Sequence, residues 1–338
     1  MEPSIIAILL VTVALFFDYS NGAHDSSNIV ATVVSSRAVS PIWALIIAAL
    51  FEFMGAYFLG TAVAQTIGKG IVNPELIKIT PNGIVILFSA LTAAIGWNLF
   101  TWYFGIPTSS SHALIGGLLG AFVIAGGFSI VNWDRVTLIF LVLVASPIVG
   151  LVLGFLITRI SYFFSQWSSP GANTLFKRLQ LGSSVLLALS HGTNDAQKTM
   201  GVITFSLVVL GLYQPPPGSL PIPRWVVVAC AATIALGILN GGWRIIKTLG
   251  AKLYKIRPIH GFGAQSSAAL IIYAAALFGF PVSTTQVVTS TIMGAGSADR
   301  PKGVRWEALR EILVSWIVTM PVAALLSILI YFIINSLT

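Results

Sequence analysis

The sequence predicts an all-α, polytopic membrane protein of two inverted-topology repeats, with broken or re-entrant helices and about five crossings per repeat. Only 8% of the 338 residues are charged and 56% are hydrophobic, and the mean hydropathy is +0.92. So few charges cannot cover the surface of a soluble domain of this length. Apolar runs of about 20 residues recur, long enough to cross a bilayer core as helices. These runs are continuous, whereas the strands of a membrane barrel alternate.

Charge and cysteine content exclude several other classes of protein. The net charge is +8. In a membrane protein, basic residues gather in cytoplasmic loops, so nucleic-acid binding is not expected. The apolar N-terminal stretch has no basic segment and Glu2 is its only charge, which predicts a retained span rather than a cleaved signal. Cys230 is the single cysteine, and this excludes an intrachain disulfide and a cysteine-based metal cluster.

A polar segment interrupts the apolar pattern once in each half of the chain. ALSHGTNDAQKTMG at residues 188–201 holds seven polar or ionisable side chains within nine residues, 191–199, and NGAHDSSN at residues 21–28 has the same arrangement. Asp195 follows Asp25 by 170 residues. A charge at membrane depth is unfavourable by several kcal/mol. The clustering of these side chains therefore predicts that they form a functional site.

A second motif is duplicated at nearly the same spacing. FGIPTSSSH at residues 104–112 matches FGFPVSTTQ at residues 278–286, and Pro281 follows Pro107 by 174 residues. Two motifs repeated at one period indicate an internal duplication. The sequence therefore divides into a first repeat, a linker and a second repeat, at residues 1–164, 165–178 and 179–338.

Loop charges predict that the two repeats are inverted. The loop at residues 67–82 holds two lysines and a glutamate, whereas its counterpart at residues 244–257 holds five basic residues and no acid. The loop at residues 126–135 is neutral, and its counterpart at residues 298–305 is basic. By the positive-inside rule the matched loops lie on opposite sides, with both termini outside. Inverted repeats are typical of secondary transporters, which hold substrate near the bilayer midplane.

Each Pro–hydroxyl motif predicts a helix N-terminus inside the membrane. A proline disfavours helix at the residue before it and suits the first turn of a new helix. Free backbone N–H groups, hydroxyl donors and the positive end of the helix dipole would converge there, which suits an oxyanion. Close helix packing is the alternative use of such hydroxyls. The candidate anion ligands are Ser109, Ser110, Ser111, Ser283, Thr284 and Thr285.

The two Asp segments predict cation sites. Carboxylate and amide oxygens are hard ligands that suit an alkali cation, and backbone carbonyls could join them if the helices unwind at Gly22 and Gly192. A buried aspartate bonded to a neighbouring histidine or lysine, with a purely structural role, is the alternative. The candidate ligands of a sodium ion, or sites of a coupled proton, are Asp25, Asp195, Asn21 and Asn194.

Four other ionisable residues have two interpretations each. Histidine titrates near neutrality, so His24 and His191 are candidate proton carriers or plain hydrogen-bonding residues. Glu52, alone in an apolar span, is a further candidate for a proton or a cation. Lys198 either neutralises Asp195 or attracts the anion, and the sequence favours neither role.

The chain resembles the PiT family of inorganic phosphate transporters over essentially its whole length. The matching segments are NGAHDSSNIVATVVSSRAVSP, IPTSSSHALIGG, LSHGTNDAQKTMG, GGWRIIKTLG and FPVSTTQ. The resemblance implies phosphate uptake coupled to sodium ions or protons, by a homodimer in the cell inner (plasma) membrane. With His24, the first repeat has the GxHD motif and so resembles the bacterial branch of the family. A related branch of the family carries sulfate. Asn28, Gln197 and Lys198 join the six hydroxyl residues as candidate phosphate ligands.

The prediction is therefore a secondary active symporter that imports inorganic phosphate, and not an enzyme. No cofactor is expected beyond the co-transported sodium ion or proton, and no catalytic residue is assigned. Sulfate or another oxyanion is the alternative substrate. A passive anion channel and an intramembrane hydrolase using Asp25 and Asp195 are the alternative classes. The chain has no GxxxxGK[ST] motif, which argues against an ATP-driven pump.

Overall fold

The structure, a computed structural model, describes residues 3–72, 83–166, 171–216 and 218–336. Within these ranges the chain forms twelve α-helices and no β-strand. The helices are α1 (Pro3–Ser35), α2 (Pro41–Phe58), α3 (Ala62–Gly70), α4 (Gly83–Phe104), α5 (Ser110–Gly126), α6 (Trp133–Ser165), α7 (Ala172–Val209), α8 (Arg224–Asn240), α9 (Trp243–Lys247), α10 (Pro258–Leu277), α11 (Thr284–Asp299) and α12 (Trp306–Asn335).

The helices of the two halves correspond in order and in length. α1 and α7 have 33 and 38 residues, and α6 and α12 have 33 and 30. The short helices α5 and α11, of 17 and 16 residues, are fifth in each half. The predicted all-α fold of two repeats with broken helices is confirmed. The domain boundaries stay a prediction, because the middle of the linker at residues 165–178 lies outside the described residues, as do the loop charges Glu75 and Lys78.

Helices of one half pack against helices of the other half, and the contacts come in equivalent pairs. α1 packs against α8, and α2 packs in the equivalent way against α7. The short helix α5 packs on α12, and α11 packs on α6. Each half therefore places its polar segment and its short helix against the other half. This packing brings both copies of the polar segment and both copies of the hydroxyl motif to the centre of the molecule.

Several helices have the length and composition of membrane spans. Five of the described helices, α1, α2, α4, α6 and α12, are long and apolar enough to cross a membrane. α8 and α9, which continues in a π-helical turn, meet the same criterion as a pair and are bent by 62° at the break between them, as in a broken span or a re-entrant loop. α7 has 38 residues but carries the polar segment. The chain is thus a multi-pass membrane protein, and its polar segments lie among its spans.

Close backbone contacts explain the glycines of the two polar segments. A Cβ atom at Gly22 would lie 2.3 Å from the backbone oxygen of Ile234, and one at Gly192 would lie 2.2 Å from that of Glu52. No side chain fits at such a distance. The prediction that α1 and α7 unwind at these glycines is wrong, since both helices run through them without a break. The glycines instead let neighbouring helices touch backbone to backbone.

The predicted orientation of the loops can be measured by cysteine labelling. Ser129 and Lys302 are both exposed and lie in matched loops of the two halves. In a Cys230→Ala background, an impermeant maleimide added outside intact cells is expected to label Ser129→Cys. Lys302→Cys is expected to stay unlabelled until the membrane is opened, because basic loops remain in the cytoplasm. Labelling of Lys302→Cys from outside would reverse the predicted topology.

Candidate functional site

The short helices α5 and α11 both begin at the duplicated hydroxyl motifs, as predicted. Ser109 is the N-cap of α5, and its Oγ accepts a hydrogen bond from the backbone N–H of His112 at 3.1 Å. Ser283 caps α11 in the same way, accepting from the N–H of Gln286 at 3.3 Å. The other N–H groups of each first turn have no partner within the helix. Both helices therefore present free donors and a positive dipole end to the same central region.

Asp25 on α1 receives side chains from both short helices. Its Oδ1 lies 2.8 Å from His24 Nδ1 and accepts a hydrogen bond from Thr285 Oγ1 at 3.2 Å. Its Oδ2 accepts from Ser110 Oγ at 3.3 Å and from Thr284 Oγ1 at 3.2 Å. One carboxylate thus joins the N-terminus of α5 to the N-terminus of α11.

Asp195 on α7 occupies the equivalent position in the second half. Its Oδ1 accepts a hydrogen bond from Lys198 Nζ at 2.6 Å. Its Oδ2 accepts from Thr284 Oγ1 at 3.2 Å and from Asn21 Nδ2 at 3.5 Å, and it lies 3.6 Å from His191 Nε2. Asp195 therefore contacts an ammonium group. Asp25 contacts hydroxyls and His24, and His191 Nε2 lies 4.0 Å from its Oδ2.

The two carboxylates lie close together around shared neighbours. The Thr284 hydroxyl is 3.2 Å from an oxygen of each carboxylate, but its single hydrogen can serve only one of them at a time. One ligand atom from each of Asp25, His191 and Asp195 lies within 4.8 Å of the others. Buried carboxylates at this spacing need positive charge nearby. The geometry allows a cation between them.

Glu52 on α2 is bound to the second polar segment and does not face lipid. Its Oε1 lies 2.8 Å from His191 Nδ1, and both side chains are fully buried. Its Oε2 has no hydrogen-bond partner among the described residues. The equivalent position in the second half is apolar, because Ile234 of α8 lies against Gly22 as Glu52 lies against Gly192. The Glu52–His191 pair therefore exists on one side of the site only.

The residue three positions after each aspartate reaches the short helix of the other half. Asn28 Nδ2 donates a hydrogen bond to Thr285 Oγ1 at 3.0 Å. Lys198 Nζ donates to Ser111 Oγ at 2.6 Å, and Ser111 Oγ donates onward to a backbone carbonyl at 2.8 Å. Asn28 and Lys198 thus hold equivalent places, as the alignment of the two motifs predicts, and they differ in charge.

Two of the predicted ligands bind backbone in this conformation. Asn194 Oδ1 accepts a hydrogen bond from the N–H of Val282 at 3.3 Å and so holds the segment that leads into α11. Gln197 Oε1 accepts from the N–H of Val63 at 2.8 Å, and its Nε2 donates to the carbonyl of Gly60 at 2.8 Å. Gln197 therefore anchors the start of α3. A role in ligand binding stays a prediction for both residues.

His24 contacts a pair of threonines, one of which no sequence pattern indicated. His24 Nε2 lies 3.4 Å from both Thr101 Oγ1 and Thr108 Oγ1, and the second hydroxyl donates to the first at 2.9 Å. Thr108 stands in the hydroxyl run directly after Pro107, which is a usable signal. Thr101 is one polar residue in an apolar span, and only the packing of α4 against α1 brings it to His24.

Asp18 is a further buried acid near the site. Its Oδ1 accepts a hydrogen bond from Thr199 Oγ1 at 2.8 Å, and its Oδ2 has no hydrogen-bond partner in the described part of the chain. Its position is a signal that could have assigned it to the site. Asp18 stands seven residues before Asp25, two helical turns away, and therefore on the same face of α1.

The site is closed in this conformation. Every predicted ligand and proton carrier is at most 2% exposed. A solute can reach these residues only after a rearrangement, as alternating access requires. The residues concerned are Asn21, His24, Asp25, Asn28, Glu52, Ser109, Ser110, Ser111, His191, Asn194, Asp195, Gln197, Lys198, Ser283, Thr284 and Thr285.

A buried polar centre between two inverted halves, built from opposed helix N-termini and paired carboxylates, defines a membrane transporter of the inverted-repeat class. The model of the phosphate transporter family matches residues 21–327. The chain belongs to this family, as its resemblance to the PiT transporters predicted. Its family consists of transporters, and the prediction that it is not an enzyme is confirmed.

Similar proteins cover the chain almost completely. It is 44% identical to a probable low-affinity inorganic phosphate transporter of Bacillus subtilis (strain 168), over 98% of each chain. It is 45% identical to a protein of the same description from Rhizobium meliloti (strain 1021), over 96% of this chain and 95% of that one. A solved structure described as the sodium-dependent phosphate transporter matches with a TM-score of 0.87 and 26% identity, over 99% of this chain and 100% of the other.

Proposed function

We propose that this protein is a secondary active symporter that imports inorganic phosphate together with sodium ions or protons. One observation carries the proposal: the N-termini of α5 and α11 meet around two buried carboxylates, with the Thr284 hydroxyl 3.2 Å from each. Helix N-termini and hydroxyl donors attract an oxyanion, and carboxylates attract a cation. An arrangement that offers both at one place favours binding the two solutes together.

The proposed phosphate ligands come from both halves. The free N–H groups and hydroxyls of α5 and α11 replace the water shell of the anion, and Asn28 and Lys198 add donors from the neighbouring helices. Gln197 contributes after it releases the start of α3. The proposed ligands are Ser109, Ser110, Ser111, Ser283, Thr284, Thr285, Asn28, Gln197 and Lys198. Ser109 and Ser283, whose hydroxyls cap their own helices, position the others.

The two carboxylates make binding of the anion depend on binding of a cation or proton. Asp25 and Asp195 lie within hydrogen-bond distance of the hydroxyls proposed to hold phosphate. A carboxylate beside an anion repels it unless a cation or proton lies between them. The proposed cation ligands are Asp25, Asp195, Asn21 and Asn194, with His24, His191 and Glu52 as proton carriers. Unpartnered buried oxygens on Asn21 and Glu52 fit this use.

Membrane energetics require coupled uptake for accumulation. Moving one charge against 100 mV costs about 2.3 kcal/mol, so a divalent phosphate entering a negative cell costs roughly 4.6 kcal/mol. Co-transported cations offset this cost. The sodium dependence named for the solved structure supports sodium as the coupling ion, whereas histidine at residue 24, bonded to Asp25, supports the proton. We propose the cell inner membrane as the location and a homodimer as the assembly.

Uptake into proteoliposomes tests the proposal. The purified protein is reconstituted, and accumulation of labelled phosphate and of labelled sulfate is measured with sodium and pH gradients imposed separately. The expected result is concentrative phosphate uptake driven by one of the gradients, with little sulfate uptake. Sulfate accumulation would identify an oxyanion permease of another specificity. Uptake indifferent to both gradients would identify a passive channel and contradict the symporter.

A further inference from the structure

We infer that the Lys198 ammonium is a built-in cation that takes the place of one transported cation. The inference rests on the proposed symport function and concerns its stoichiometry. Two Asp segments would be expected to bind two cations, one each. In this chain the second segment carries its own positive charge, so the geometry points to the first segment as the site that takes a cation from solution.

The two halves provide an internal comparison for this inference. Asn28 and Lys198 each stand three residues after an aspartate, and each donates to a hydroxyl of the opposite short helix, Thr285 or Ser111. The two side chains therefore occupy equivalent places in the inverted repeats. One is a neutral amide and the other is an ammonium group. The difference between the two cation sites is thus one full charge at a matched position.

Asp195 already has its counter-charge. Lys198 Nζ lies 2.6 Å from Asp195 Oδ1 and 2.6 Å from Ser111 Oγ, and its side chain is 1% exposed. A buried ion pair with good geometry and additional hydrogen bonds is stable, and the lone charge of either partner is not. A second cation beside Asp195 would be repelled by the ammonium group at close range.

Asp25, unlike Asp195, has no ammonium group of the protein as its counter-charge among the described residues. Within that part of the chain it has no lysine or arginine in an ion pair, and the ionisable bases near it are His24 and His191. Asn28 Oδ1 is buried and has no hydrogen-bond partner in the described part of the chain, so it remains available to a cation. Lysine has no acceptor atom and offers no such ligand. The first segment can therefore receive a cation from solution. In the second segment the Lys198 ammonium takes that place, so this inference removes Asp195 from the proposed ligands of the transported cation.

The decisive variant is Lys198→Asn, which gives the second segment the amide of the first. The number of cations transported per phosphate is measured from reversal potentials of labelled phosphate flux in proteoliposomes, under imposed gradients of sodium, of pH and of membrane potential. We expect the wild type to move one cation fewer per phosphate than Lys198→Asn. The steepness of the cation dependence should also rise in the variant, with one additional site raising the Hill coefficient by at most about one.

Two further variants keep the inference testable if Lys198→Asn does not fold. Asn28→Lys places an ammonium beside Asp25 and is expected to carry phosphate without responding to the cation gradient. Asp195→Asn combined with Lys198→Asn removes both charges of the pair together, which folds more readily than removal of one. This double variant is expected to keep the wild-type number of cations per phosphate, whatever its rate.

The outcomes separate this inference from the proposed function. If wild-type uptake responds to no cation gradient, the symport proposal itself is wrong. If the wild type is coupled but Lys198→Asn keeps the same number of cations per phosphate, Lys198 does not replace a transported cation. The same conclusion follows if Asn28→Lys remains as strongly cation-driven as the wild type.

Discussion

Asp25→Asn is expected to abolish cation-driven accumulation of phosphate while the protein still folds and inserts. The amide keeps the shape of the carboxylate and can still bond Ser110, Thr284 and Thr285, so the packing of α1 against the short helices survives. It removes the charge that attracts the coupling cation. By linkage, a cation that raises phosphate affinity must itself be bound more tightly in the presence of phosphate. Loss of the cation site therefore removes both effects.

The measurement is phosphate binding and concentrative uptake by Asp25→Asn across a titration of sodium and, separately, of pH. Asp134→Asn is the matched control, because Asp134 is exposed at the start of α6 and lies outside the site. The control should accumulate phosphate as the wild type does. Accumulation by Asp25→Asn with wild-type ion dependence would remove Asp25 from the coupling mechanism.

The fold could be predicted in outline because the duplication is visible in short sequence motifs that recur at one spacing. The matched spacing of Asp25 with Asp195 and of Pro107 with Pro281 indicated two repeats, and inverted repeats place equivalent segments around one axis. Convergence of the two motifs followed from that symmetry. The helix starts at Ser110 and Thr284 followed from the prolines before them, since proline restricts the backbone of its neighbour.

The details that decide chemistry depend on contacts between segments far apart in the chain. Lys198 has two plausible partners by sequence, and only the approach of α5 to α7 shows that it holds Asp195 and Ser111 together. Gln197 faces the start of α3, more than a hundred residues earlier. No local rule states which long polar side chain turns toward which backbone.

The glycines of the polar segments show why one local prediction failed. Glycine has the freedom to break a helix, but it also removes the Cβ atom that would separate two helices. The sequence cannot distinguish these uses at Gly22 and Gly192. The structure distinguishes them, because a Cβ atom at Gly22 or Gly192 would clash with the backbone oxygen of Ile234 or Glu52.

Thr284→Val is expected to weaken phosphate binding by about 10- to 150-fold, the largest effect of any single hydroxyl. Valine keeps the shape of threonine and removes its hydroxyl, so the change is chemical rather than steric. The hydroxyl lies 3.2 Å from Asp25 and 3.2 Å from Asp195, at the start of α11 where the anion is proposed to bind. Hydrogen bonds to charged groups contribute about 1.5–3 kcal/mol, which corresponds to the expected loss.

Thr289→Val is the matched control for this variant. Thr289 lies on the same helix, is fully buried, and its Oγ1 has no hydrogen-bond partner among the described residues. Its replacement should leave phosphate affinity close to that of the wild type, since no hydrogen bond is lost. The measurement is the equilibrium dissociation constant of phosphate for both purified variants at saturating sodium and at fixed pH. Equal affinity of Thr284→Val and Thr289→Val would show that the hydroxyls of α11 serve helix packing and that the anion binds elsewhere.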